Sequence, residues 1–315
     1  MRERLPDRRR AATAALLSVA ALSACGDRER SEPPSVASVR FVLPLGGTPG
    51  RDWVVNNYVD RGPGSGVRDY QGGRKTYDRH RGTDLDLPNF RWMDRGFPAL
   101  AAAAGQVTAV HDGEFDRSVS CGFLGLLKQP NLVELTHAGG TRSLYLHLRR
   151  GSVRVSLGQT VAARQPLGEV GSSGCSTAPH LHFEVLSPDG AVVDPFEPNL
   201  WTDPPPYEPA LTLMDFVVKD GAITGEDELK DPPANAARIS PAGTLGIGLS
   251  LAGGSPGDRI HVRLEGAAQP ELVAEIQDEP PHSYWFWNLP APRHRGTRRI
   301  TIHAGGRLLA RHELR

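Results

Sequence analysis

Two histidines separated by one residue occur near the middle of the chain, in the segment GCSTAPHLHFEV (174–185). The segment is apolar and rich in strand-forming residues, so it predicts a β-strand. Because successive strand side chains point to opposite faces, His180 and His182 share one face and Phe183 lies on the other. Neighbouring imidazoles on one face are suited to binding a metal ion or to transferring protons.

A second group of candidate residues lies upstream, in YDRHRGTDLDLP (77–88), where His80 and Asp84 are four residues apart. Gly82 lets the backbone turn, so the spacing indicates a bend that runs into a strand. Together with one histidine of the downstream pair, these residues offer two imidazoles and one carboxylate. Catalytic zinc sites use three such ligands and leave a fourth position for water. The combination argues against histidines scattered over the surface.

Strand-like segments that could position these residues run from about residue 40 to residue 201. VRFVLPL (39–45) opens the series, and ALAAAAGQVTAVHDG (99–113) predicts two more strands. The chain contains 35 glycines and 27 prolines, which fits short strands joined by turns. A mainly β domain, built as a compact sheet or sandwich, is therefore predicted for residues 39–201.

NLVELTHAGGTRSLYLHL (131–148) predicts a hairpin whose turn contains two glycines. On its second arm His147 alternates with leucines, so it is predicted on a strand face that points away from them towards solvent. His111 and His137 each follow a strand into a turn, and they are interpreted as structural.

A second, smaller β domain is predicted for residues 207–315, after a proline-rich linker at 202–206. Seven short apolar segments over roughly 110 residues are typical of an immunoglobulin-like sandwich. Its aromatic segment YWFW (284–287) could fill the core and the contact with the first domain, or it could offer rings on which sugars stack.

The first 25 residues predict an export signal, because a basic segment precedes a short apolar one. That segment ends in LSAC (22–25), which resembles the lipobox of bacterial lipoprotein signals. The resemblance implies cleavage before Cys25, lipidation of its thiol and anchoring to a bacterial membrane that faces the periplasm or cell wall. An ordinary secretory signal is the alternative. Residues 26–38 are charged and contain Pro and Ser, which indicates a disordered tether.

Export also changes the interpretation of the other two cysteines. An oxidising compartment favours a disulfide between Cys121 and Cys175. Closing this loop of about 54 residues would disfavour the unfolded chain by roughly 4 kcal/mol on an entropic model. Two free thiols are the alternative. Lys+Arg and Asp+Glu both number 36, so the chain has no basic excess of the kind a nucleic-acid partner would require.

Three motifs in order carry a family resemblance: HRGTD (80–84), YLHL (145–148) and GSSGCSTAPHLHFE (171–184). As a set they resemble the lysostaphin/LytM-type zinc metallo-endopeptidases, which cut peptidoglycan peptides. The resemblance covers about residues 39–200 and implies an exported enzyme that hydrolyses stem or cross-bridge peptides.

The resemblance also assigns roles to the candidate residues. It implies one Zn²⁺ per chain, bound by His80, Asp84 and His182, and it makes His147 and His180 the catalytic histidines. One histidine of the central pair would then hold metal while its neighbour acts on the substrate.

Two positions depart from the family pattern. Asp86 stands where small residues are usual and is interpreted as structural, and Ala178 replaces a commoner glycine. A catalytically silent protein of the same fold, which binds the wall or regulates other wall enzymes, is the main alternative. A structural lipoprotein with incidental histidines is a third, against which the ordered motifs argue.

Overall fold

A computed structural model describes residues 39–121, 128–241, 243–265, 270–278, 281–291 and 298–314. The predicted export signal, Cys25 and the tether lie outside the described residues. In the described part of the chain no helix is long and apolar enough to cross a membrane. All described residues belong to one compact unit, Pro34–Arg315.

The first part of the described chain holds ten strands and one short helix. They are β1 (Val54–Asn57), β2 (Thr83–Asp86), α1 (Phe90–Asp94), β3 (Pro98–Leu100), β4 (Gly105–His111), β5 (Leu132–Thr136), β6 (Arg142–Leu146), β7 (Thr160–Val161), β8 (Pro166–Glu169), β9 (His180–Leu186) and β10 (Val192–Val193). The main sheet has the order β1-β2-β9-β6-β5-β4-β7, with β10 also on β9, while β3 and β8 pair separately. β9 is therefore central, and all seven of its residues are buried.

Large apolar side chains fix this central strand in place. Phe183 of β9 is fully buried and contacts the rings of Phe41, Tyr145 and Trp201 with centroids 5.3–5.8 Å apart. Burying a side chain of this size stabilises a fold by roughly 1.5–3 kcal/mol. The apolar face of β9 thus anchors the strand, and the opposite face is left to carry His180 and His182.

The predicted opening strand at 39–45 is wrong. Only isolated bridges form there, between Phe41 and Trp201 and between Leu45 and Ala99. The apolar residues of this segment are used to pack against the core, where Phe41 is fully buried. The predicted hairpin, by contrast, is confirmed, with β5 and β6 joined by a 3-10 turn at Ala138–Gly140.

The second part of the described chain holds seven strands and one short helix. They are β11 (Thr212–Asp220), α2 (Glu226–Lys230), β12 (Thr244–Ala252), β13 (Arg259–Leu264), β14 (Glu271–Glu275), β15 (His282–Pro290), β16 (Arg298–Ala304) and β17 (Arg307–Leu314). They form two antiparallel sheets, β11-β12-β15 and β14-β13-β16-β17, with apolar side chains of both sheets in one core. The mainly β fold is confirmed, whereas the immunoglobulin-like class and the domain boundaries stay predictions.

The aromatic segment of β15 is divided between the core and a contact with the first part of the chain. Trp285 and Trp287 pack against the core of the two sheets, and Phe286 is 40% exposed. The Tyr284 hydroxyl donates to the carbonyl of Pro88 at 3.2 Å. The side chains alternate as a half-buried strand requires. This arrangement agrees with the first of the two interpretations of YWFW.

Candidate metal centre and active site

Three predicted ligands converge where β2 lies beside β9. Asp84 pairs directly with His182 across these strands, and His80 approaches from the bend before β2. His80 Nε2 lies 3.2 Å from both Asp84 Oδ1 and His182 Nδ1, and the latter two atoms are 2.8 Å apart. Ligands bound at 2.0–2.1 Å to a tetrahedral zinc ion lie about 3.3 Å from one another. The donor atoms therefore fit one zinc ion.

Gly82 makes this close approach possible. A Cβ added at Gly82 would lie 2.6 Å from His182 Nε2 and 2.7 Å from the carbonyl oxygen of Phe183. The contact with the Phe183 oxygen could be relieved only by moving the backbone of β9, to which this oxygen belongs. The glycine in HRGTD is thus required for the bend to pass over the central strand.

Hydrogen bonds fix the orientation of His80 and Asp84. His80 Nδ1 donates to the carbonyl of Tyr58 at 2.7 Å, which leaves Nε2 with a lone pair for a metal. The Asn57 amide donates to the second carboxylate oxygen of Asp84 at 3.0 Å. Such outer partners hold metal ligands in one geometry.

His182 is supported from the other side of its ring. Its Nε2 faces Glu184 Oε2 at 3.8 Å, and Arg81 Nε donates to Glu184 Oε1 at 2.8 Å. Glu184 lies two residues further along β9 and so shares the face of His182. The carboxylate favours a proton on Nε2, which leaves Nδ1 for the metal.

The pKa values of Asp84 and His182 indicate a buried ion pair between these two ligands. Burial acts to raise the pKa of Asp84, but neighbouring His80 and the hydrogen bond from His182 outweigh it and hold that pKa well below its usual range. Burial lowers the pKa of His182, yet its hydrogen bonds to Asp84 and Glu184 raise the net value to about 9. Metal binding at neutral pH should therefore release a proton.

His147 does not lie in a strand, contrary to the prediction. β6 ends at Leu146, and His147 follows with φ 65°, in the left-handed region that residues other than glycine rarely adopt. Such a conformation costs of order 1–3 kcal/mol and is characteristic of functional sites. The turn brings the ring of His147 within 5.8 Å of the His182 ring, rather than out to solvent.

His147 and His180 lie together beside the ligands, with ring centroids 4.6 Å apart. His147 Nδ1 donates to the carbonyl of Ser173 at 2.6 Å, and His180 Nδ1 donates to that of Ala178 at 2.8 Å. Both rings therefore keep Nε2 free of these backbone bonds, and His180 Nε2 lies 3.6 Å from Asp84 Oδ1. The geometry brings together all five histidine and aspartate residues predicted for the site.

The surroundings of His147 favour its neutral form. Burial lowers the pKa of His147 well below its usual range, and the nearby His180 and His182 add to this effect. His147 is therefore neutral at neutral pH and can accept a proton at Nε2.

The predicted disulfide between Cys121 and Cys175 is confirmed, with Cα atoms 4.8 Å apart. It ties the segment after β4 to the loop that leads into β9. In that loop the hydroxyl of Ser176, the residue after Cys175, lies 3.2 Å from His180 Nδ1. The bridge thus restrains one wall of the site.

The two other histidines of this sheet have structural contacts, as interpreted. Both ring nitrogens of His137 are bonded, to the carbonyl of Ala104 at 2.8 Å and to the Ser143 hydroxyl at 2.7 Å, and burial lowers its pKa. His111 Nε2 lies 3.0 Å from Glu114.

Sequence reasoning missed several supporting residues. The period-2 pattern of β9 could have identified Glu184, because it shares the face of both histidines. Nothing local in the sequence marks Asn57 or Tyr58, which contact the ligands across 22 to 27 residues of chain.

A mainly β fold with this arrangement of histidines and one aspartate defines a metallopeptidase-type centre. Residues 78–195 match the model of peptidase family M23, and the first part of the chain, which carries this match, is here called the M23 domain. The matched residues include all five predicted site residues.

Curated proteins match part of the chain. Peptidoglycan DD-endopeptidase ShyC of Vibrio cholerae is 35% identical over 107 residues, which cover 34% of this chain and 20% of ShyC. Lysostaphin of Staphylococcus simulans is 31% identical over 128 residues, covering 41% of this chain and 21% of lysostaphin. The chain thus spans about a fifth of the length of these relatives.

Among solved structures, the catalytic domain of the prophage-encoded M23 protein EnpA from Enterococcus faecalis is 27% identical. The match covers 49% of this chain and 94% of that domain, with a TM-score of 0.33. The family assignment depends on the family match and the sequence relatives.

Proposed function

We propose that the protein is a zinc-dependent endopeptidase that hydrolyses peptide cross-links of bacterial peptidoglycan. The observation that carries the proposal is the convergence of His80 Nε2, Asp84 Oδ1 and His182 Nδ1, with two further histidines facing them. The names of the relatives, a peptidoglycan endopeptidase and lysostaphin, support the substrate class.

The chain's own residues supply the proton transfers of this mechanism. Zinc, when bound, supplies a Lewis acid that polarises the scissile carbonyl and lowers the pKa of water to about 7. One of His147 and His180 accepts the proton of the attacking water at Nε2 and returns it to the nitrogen of the leaving amine. The other, when protonated, donates a hydrogen bond to the carbonyl oxygen as negative charge develops there. Hydrolysis adds hydroxyl to the carbonyl carbon and hydrogen to the amine.

Digestion of purified sacculi tests the proposal directly. The zinc-loaded protein should release cleaved cross-links that mass spectrometry identifies, and a chelator should stop release until zinc is added back. Sacculi with glycine bridges and sacculi with direct cross-links, digested in parallel, reveal which bond is cut. Zinc-loaded protein that binds sacculi without cleaving them would instead support the silent, wall-binding alternative.

The location is a second element of the proposal. We infer that Cys25 is the lipidated N-terminus of the mature protein, that residues 26–38 tether it, and that the peptidase domain spans 39–201, with a linker at 202–206 and an accessory domain at 207–315. The basis is the lipobox-like LSAC segment and the charged, Pro- and Ser-containing composition of the tether.

Replacing the lipidation site tests this location. Cys25→Ser should move the protein from the membrane fraction to the soluble fraction, and intact-mass analysis of the wild type should show a diacylglyceryl group on Cys25. Cys121→Ser is the matched control, because it removes a cysteine that is already bridged, and it should stay in the membrane fraction. Unchanged membrane retention of Cys25→Ser defeats the idea.

A further inference from the structure

Asp86, one of the two residues that depart from the family pattern, connects the M23 domain to the second part of the chain. Its carboxylate lies 3.3 Å from Nδ1 of His282, the first residue of β15. His282 Nε2 lies 2.9 Å from the Ser250 hydroxyl, and that hydroxyl lies 3.2 Å from the carbonyl of Pro88. The side chains of Asp86 and His282 are 7% and 3% exposed. Losing one member would leave a buried polar partner unsatisfied.

Further contacts make this junction broad. Asn89 donates to Asp215 at 2.6 Å, and Arg91 donates to the backbone carbonyl of Phe216 at 2.8 Å. Arg117 donates to Asp94, the last residue of α1, at 2.9 Å and to Asp231, the residue after α2, at 2.7 Å. The second part of the chain is therefore held against β2 and α1 at several independent points, which fixes its orientation on the M23 domain.

A cleft of about 330 Å³ lies between the two parts. One wall comes from the M23 domain and the other from α2 and β15. Its lining residues include Asn56, Asp86, Thr177, Ala178, Glu226 and Lys230. Its volume is that of a small-ligand site, and its lining is mostly polar.

The M23 wall of this cleft is continuous with the metal centre. Asp86 pairs with His180 across β2 and β9, and it shares the face of Asp84, two residues away. The carbonyl of Ala178, another lining residue, accepts the Nδ1 hydrogen of His180. Asn56 sits at an irregularity in β1, next to the Asn57 that binds Asp84. The cleft therefore lies next to the His180 side of the metal centre.

We propose that this cleft is a substrate subsite, in which residues from outside the M23 domain bind the peptide segment that extends past His180. The inference rests on the proposed function, because the occupant is the same peptide substrate. The lining supplies the amide and hydroxyl of Asn56 and Thr177, which suit a peptide backbone, together with charges of both signs. Such a lining is unsuited to an apolar ligand.

The charged groups of the second wall are arranged to meet a polar ligand. Lys230 is 14% exposed, and its ammonium is held by Asp227 at 3.0 Å and Glu226 at 3.4 Å. The Glu226 side chain is 59% exposed and lines the cleft. Glu226 is thus the accessible charged group on this wall, and a change there alters the subsite with little effect on the fold.

A bulky residue at Glu226 provides the test. Glu226→Trp should lower kcat/KM on soluble cross-linked peptides released from sacculi by about tenfold, mainly through KM, because the lost interaction is made in ground and transition states alike. Ala222→Trp is the control, because Ala222 is exposed, lies four residues before Glu226 and does not line the cleft, and its contact with Lys219 is made by its backbone carbonyl. Its kcat/KM should equal that of the wild type.

A second variant narrows the cleft from the M23 wall. Thr177→Trp, at an exposed lining residue, should also raise KM, and zinc content and melting temperature establish that each variant is folded. A wild-type KM in both Glu226→Trp and Thr177→Trp, with each variant folded, overturns the subsite, as does an equal rise in KM in Ala222→Trp. A wild type that cleaves nothing defeats the proposed function instead, so the two failures are distinguishable.

Discussion

Zinc content and cleavage rate should fall together in His182→Ala. The change removes one of three protein ligands whose donor atoms lie 2.8–3.2 Å apart, and with it the shortest of these contacts of the buried Asp84 carboxylate. Loss of an outer-shell partner typically reduces metal affinity or activity 10–100-fold. Loss of a ligand should therefore reduce zinc affinity by more than about 100-fold. Metal analysis of the purified protein and the rate of peptide release from sacculi measure the two effects.

His111→Ala is the control for this prediction. It also removes a histidine from the main sheet, but His111 contacts Glu114 and is not among the residues of the centre. It should keep one zinc ion per chain and wild-type cleavage. Full zinc occupancy in His182→Ala would falsify its assignment as a ligand.

The second large effect separates the catalytic histidines from the ligands. His147→Ala and His180→Ala should each keep one zinc ion, because neither supplies a donor atom to the three-residue set. Each should lower kcat by about 10²–10⁴-fold, the range typical of lost acid–base catalysis. Single-turnover cleavage beside metal analysis distinguishes this result from loss of zinc.

The double variant sharpens that prediction. Because the two rings lie 4.6 Å apart and act on the same transition state, their effects on kcat should not multiply. His147→Ala/His180→Ala should retain zinc and cleave about as slowly as the slower single variant. If either single variant keeps full activity, its histidine has no part in catalysis.

The part of the site that the sequence predicts best rests on local periodicity. The two-residue spacing places His180 and His182 on one strand face, and Gly82 marks the bend before Asp84. Both features depend on backbone geometry within a few residues, so the local sequence is enough to predict them. The family resemblance adds His147, whose role needs a contact between separate strands.

The predicted position of His147 is wrong because alternation does not reveal which face is buried. The leucines around it suggest an apolar inner face, yet Tyr145 is the fully buried residue, and its hydroxyl accepts a hydrogen bond from the Ala102 amide at 2.7 Å. The left-handed φ of His147 comes from the route of the chain after β6 and has no local signal. The Asp86–His282 contact, 196 residues apart in sequence, is equally beyond local patterns.

The junction at Asp86 has a consequence for protein engineering. One way to engineer such a protein is to cut out the M23 domain and fuse it to a new targeting partner. In this chain the cut would remove the partners of several groups at the junction. The carboxylate of Asp86, the amide of Asn89 and the guanidinium of Arg91 would each lose a contact. An M23 domain excised from this chain therefore needs redesign of the residues at the junction, beginning with a small residue in place of Asp86.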